Sequence, residues 1–109
     1  MVYIFIMNVF FTITTPLGYT IRTTKTYWQY LIKVKHPCML NKEGVVKEVL
    51  NNPDKVYKSI LDDTVYLYYR KIERLYCVVA KHSPHKEGFL ITAYPTNKIK
   101  EGGEIIWIK

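Results

Sequence analysis

The chain has only two cysteines, Cys38 and Cys77, and they stand far apart. That excludes a disulfide framework and suits a reducing cytoplasm. Acidic residues are scarce, and residues 1–42 contain none. No paired-carboxylate motif, nucleophile elbow, P-loop or GxGxxG appears, which removes the commoner hydrolase and nucleotide-binding signatures. The longest apolar run, Val2–Ile13, falls short of the roughly 20 residues that span a bilayer. It has no basic residue ahead of it and no clean small-residue cleavage site, so neither a signal peptide nor a membrane partner is expected. A zinc site would need His82 and His85 with Cys38 or another ligand, but no paired CxxC or HExxH accompanies them. Neither metal nor cofactor is expected. No internal repeat or low-complexity linker is visible.

What is present describes one domain over residues 1–109. Hydrophobic residues make up 49% and charged residues 23%, a balance suited to a folded core. Ten tyrosines and many β-branched residues favour a sheet. The net charge is +7, and residues 1–42 carry +5 of it through Arg22, Lys25, Lys33, Lys35 and Lys42. Basic charge gathered in this way suits a polyanion, most plausibly a nucleic-acid backbone.

Along the chain, Val2–Ile13 reads as a strand, with Met7 a candidate for the true start. The Pro and Gly of residues 14–19 read as a turn, followed by a strand at Tyr19–Arg22. Thr23 or Thr24 then caps a helix whose buried stripe runs through Tyr27/Trp28 and Leu31/Ile32 to Lys35. A second helix starts near Asn41, reaches about Leu50 and buries Val46, Val49 and Leu50. Lys55–Ser59 is a short edge strand. Val65–Lys71, Leu75–Lys81 and Gly88–Pro95 form a meander, one face of which can remain open to ligand. Glu104–Lys109 is a tail or edge strand. The expected architecture is α+β: two N-terminal helices packed on an antiparallel sheet of about four strands.

Lys35-His36-Pro37 is the densest functional signal. Proline disfavours the α region for the residue before it, so His36 ends the helix in an exposed, extended conformation. Histidine titrates near neutral pH and can move a proton during a reaction. Arg70, Lys81, Thr92, Tyr94, Thr96 and Lys98 lie on or just after successive strands and are candidate partners. In that arrangement His36 moves a proton while Arg70 or Lys81 stabilises phosphate charge. Thr92 or Tyr94 bonds a phosphate oxygen, and exposed tyrosines stack on bases. Lys35, Tyr94, Thr96 and Lys98 would grip RNA. His82 and His85, in or beside a hairpin loop, read as surface residues.

The ordered segments Thr15-Pro16-Leu17-Gly18, Trp28 to Lys35-His36-Pro37, Asn52-Pro53-Asp54, Val65-Tyr66-Leu67-Tyr68-Tyr69, Cys77-Val78-Val79 and Gly88-Phe89-Leu90-Ile91-Thr92-Ala93-Tyr94 together resemble small prokaryotic proteins. Those proteins are grouped with the phage-linked barnase–EndoU–colicin E5/D–RelE-like (BECR) nucleases. The resemblance covers about residues 14–103. It implies N-terminal helices on an antiparallel sheet of about four strands and metal-independent endoribonuclease chemistry, often toxin-like. It also implies that His36 is the helix-associated catalytic histidine, with Lys81 and Thr92 at later-strand catalytic positions and Arg70 a looser match. RNA is then the substrate, and an acidic antitoxin or immunity protein is a candidate partner. The alternative expectations are a module that binds RNA without turning it over and a toxin-type partner protein bound by an acidic antitoxin.

Overall fold

Strand-forming residues recur along the chain, and among the described residues every strand pairs into one sheet. The computed structural model describes residues 9–100 and 103–109. Strand β1 (Val9–Thr14) pairs with β2 (Thr20–Thr24) through a tight turn. There Thr15 N donates to Tyr19 O at 2.8 Å, and Gly18 takes a φ of +84° that suits glycine. Helix α1 (Lys25–Tyr30) follows at once, because the Thr24 hydroxyl accepts from Tyr27 N at 3.0 Å and caps it. The helix widens into a π turn over Leu31–Lys35, closed by His36 N donating to Leu31 O at 2.8 Å. Pro37 has no N–H with which to extend it.

Helix α2 (Glu43–Asn51) leads to β3 (Lys55–Lys58), β4 (Val65–Ile72), β5 (Arg74–Ser83), β6 (Glu87–Thr96) and β7 (Ile105–Ile108). The spatial order is β1-β2-β6-β5-β4-β3-β7. Neighbours run antiparallel except β2 and β6, which pair in parallel through Thr20–Arg22 and Glu87–Phe89.

This corrects the expected frame of two helices on an antiparallel sheet of about four strands. Among the described residues the sheet is mixed and has seven strands, and the helices are short. The N-terminal hairpin joins the sheet because α1 and α2 carry the chain back over one face, which brings β2 alongside β6. Residues 104–109, expected as a tail or edge strand, supply the edge strand β7, which pairs with β3, so Lys55–Ser59 is not the edge strand expected. Asn41 does not cap α2. It turns the chain at a φ of +64°, and Lys42 precedes the helix without a side-chain cap bond. The expectation about Met7 lies outside the described residues.

Trp28, Leu31 and Ile32 from the first helical segment and Val46, Val49 and Leu50 from α2 bury themselves against Tyr68, Val78, Ala80, Leu90 and Ala93 of the sheet. The opposite face is not left open along its length. Beyond β6, Lys100 N donates to the hydroxyl of Tyr69 on β4 at 3.1 Å, and Lys58 N of β3 donates to Glu104 O at 2.8 Å. Tyr69 and Cys77 on that face are accordingly 1% and 0% exposed. No helix among the described residues is long and apolar enough to cross a membrane.

Candidate functional site

One residue in β6 has no counterpart on β5: Val79 pairs with Thr92 and Ala80 with Leu90, so Ile91 is extruded. A bulge of this kind re-aims the backbone groups around it. The Ile91 carbonyl points at the helical segment, where it accepts from the Tyr27 hydroxyl and from Lys35 Nζ, the latter at 3.2 Å. Lys35 Nζ also lies 3.1 Å from the Tyr27 hydroxyl oxygen. Lys35 was expected to grip RNA; its ammonium is instead turned inward, where it pins the π turn to the sheet.

That clamp sets the position of the next residue. His36 is partly exposed, and its ring lies against Tyr94 with centroids 5.2 Å apart. Partial burial, followed by the neighbouring Lys35 charge, lowers the His36 pKa below its ordinary 6.5. The imidazole is therefore neutral at pH 7 and able to accept a proton. Tyr94 keeps its phenol proton more firmly than usual, because burial and the adjacent Cys77 thiol disfavour the phenolate.

The other expected residues divide into three groups. Thr92 lies one register step from Tyr94 on the same face, and its buried hydroxyl finds no partner among the described residues. Thr96 and Lys98 follow Tyr94 and close a small turn, in which the Thr96 hydroxyl donates to Lys98 O at 3.1 Å. Lys81 shares the Tyr94 face but sits four residues beyond Tyr94's partner Cys77, roughly 13 Å along the strand. Its charge acts on Asp62. Arg70 lies on the helix-covered face. It bonds Asn52 O at 2.9 Å and pairs with Asp54 at 3.3 Å and Glu48 at 3.5 Å. The structure thus brings His36 against Tyr94, keeps Thr92 beside Tyr94 on its own strand, leaves Lys81 at a distance and places Arg70 on the other face.

His82 is not a surface residue. It is 6% exposed and sandwiched between the rings of Tyr19 and Tyr66, each centroid 3.8 Å away. Its Nε2 lies 2.8 Å from the Tyr68 hydroxyl, which also bonds Thr15 at 3.3 Å. Its Nδ1 has no partner among the described residues. Burial, aided by Lys86 above Tyr19, depresses its pKa to about 4, so it is a neutral structural group. The signal was legible in parity, since His82 continues the inward row Tyr76, Val78, Ala80 of β5. The other missed feature is where β2 and β6 part, beside Arg22 and Phe89; nothing local in the sequence marks a gap between segments so far apart.

The chain matches no family model, no curated protein and no solved structure.

Proposed function

We propose that the protein binds RNA along the outer half of β6 and cleaves it without a metal, with His36 as the proton acceptor. The observation that carries this reading is the neutral imidazole held against Tyr94 beside the Lys35 charge. His36 takes the proton from a ribose 2′-hydroxyl, and the 2′-oxygen forms its bond to phosphorus as the bond to the 5′-oxygen breaks. The departing oxygen takes a proton from solvent. The products are a 2′,3′-cyclic phosphate and a 5′-hydroxyl end. Tyr94 offers a ring on which a neighbouring base stacks, and the Thr92 hydroxyl, buried and unpaired among the described residues, would donate to a phosphate oxygen once uncovered. The resemblance to BECR nucleases, which rests on the quoted segments alone, agrees with this chemistry.

The placement of the cations favours a second reading, an RNA-binding module with no turnover. Arg70 is committed to Glu48 and Asp54, Lys81 stands apart from His36, and the Lys35 ammonium is engaged by the Ile91 carbonyl and the Tyr27 hydroxyl. Incubation of purified protein with total RNA in EDTA separates the two. Cleavage with cyclic-phosphate ends, lost in His36→Ala, supports the enzyme. Intact RNA with tight, salt-sensitive binding sinks it in favour of the module.

A further inference from the structure

The parallel ladder of β2 and β6 ends at the pair Arg22 and Phe89, and beyond it the strands diverge around a cleft of about 320 Å³. That volume lies at the lower end of small-ligand sites. Arg22 and Phe89 stand at the rim, Tyr27 forms a wall, and Thr23 and Leu90 line the interior. Thr23 is 4% exposed, yet its buried hydroxyl finds no partner among the described residues. An unsatisfied buried hydroxyl is costly unless something that enters the cleft bonds it.

The rim has its own pattern. Arg22 pairs with Phe89 across one ladder, and Phe89 pairs with Lys81 across the next. Residues directly opposite each other project to the same face, so an aromatic ring that is 46% exposed is flanked by a cation on each side. Glu87 holds Arg22 at 3.2 Å, but both side chains are about half exposed, 49% and 52%. Such a pair is a weak tie that a phosphate can displace.

We propose that this cleft is a nucleotide subsite, in which an unpaired base stacks on Phe89 with its edge on the Thr23 hydroxyl and its phosphate lies between Arg22 and Lys81. It gives Lys81 a role away from His36. It is separate from the His36–Tyr94 pair and, for a nucleotide within a chain, rests on the reading of RNA as the ligand.

The test titrates the full chain with uridine, uridine 5′-monophosphate, adenosine 5′-monophosphate and a short single-stranded RNA, following amide shifts of Thr23, Thr24 and Leu90. Monophosphates should bind more tightly than the nucleoside, and Lys81→Gln should narrow that difference. Phe89→Ala should weaken monophosphate binding about 5- to 150-fold, the range expected for loss of one stacked base. Thr23→Val keeps the shape, so it should weaken binding while raising the thermal midpoint of the free protein. Monophosphates that leave these amides unmoved, or affinities unchanged in Phe89→Ala and Thr23→Val, overturn the subsite even if His36-dependent RNA cleavage is observed. Mononucleotide binding in the cleft with no RNA binding or cleavage would keep the subsite and overturn the RNA reading instead.

Discussion

Lys35 Nζ lies 3.2 Å from the carbonyl oxygen of Ile91, the residue extruded from β6. A defect in the ladder and an inward-facing cation thus hold the segment that ends in His36. Lys35→Met keeps the side chain's apolar stem and deletes the ammonium. It should lower stability by about 1–2 kcal/mol in urea unfolding and speed hydrogen exchange at the His36 amide. Unchanged exchange would mean that the clamp does not position His36.

The His36 imidazole sets a pH dependence for RNA cleavage. With its pKa below 6.5, activity should climb as pH rises through the acid range and level off by neutrality. His36→Ala should lose about 100-fold or more, the usual contribution of a general base. A profile that still rises between pH 7 and 8 would point to a different base.

His82 predicts an acid instability. Its folded pKa, about 4, lies below the unfolded value of 6.5, so the unfolded chain takes up the proton first as pH falls. Stability conferred by His82 is complete above pH 6.5. It declines between 6.5 and 4, with a limiting slope of about 1.4 kcal/mol per pH unit. Comparison of urea midpoints of wild type and His82→Phe over pH 4–7 isolates this contribution, and parallel curves would refute it.

Two glycines should respond in opposite directions to the same substitution. A Cβ at Gly88 would run into the Lys81 carbonyl oxygen and Ile21 Cδ1, so Gly88→Ala should cost about 1–3 kcal/mol. A Cβ at Gly44, exposed on α2, meets nothing within 4 Å. Gly44→Ala should add about 0.5–1 kcal/mol. Thermal midpoints of both variants decide the matter.

Local pattern made much of this legible. The buried stripe Val46, Val49, Leu50 marks α2, Trp28 is core as expected, and a threonine caps α1, namely Thr24. The spans of β4, β5 and β6 follow from their alternation to within one or two residues at each end. Register between strands was not legible, and the site depends on it. Alternation lists Arg70 and Lys81 by face within their own strands, but only cross-strand pairing shows that Arg70 shares its face with Tyr76 and the helices while Lys81 shares its face with Phe89. The pairing of β2 with β6 joins Arg22 to Phe89, and no local sequence signal reports a contact at that range.

The parallel ladder also bears on how the chain acquires its shape. Residues 20–22 cannot find their partners until residues 87–89 exist, so the first hairpin emerges during synthesis with no sheet to join. Closing so long a loop is entropically slow, and strand edges stay bare meanwhile. The cleft between Arg22 and Phe89 consequently forms only when the two halves of the chain meet. A partly made protein has no such cleft, and any activity that needs it begins only once the ladder has closed.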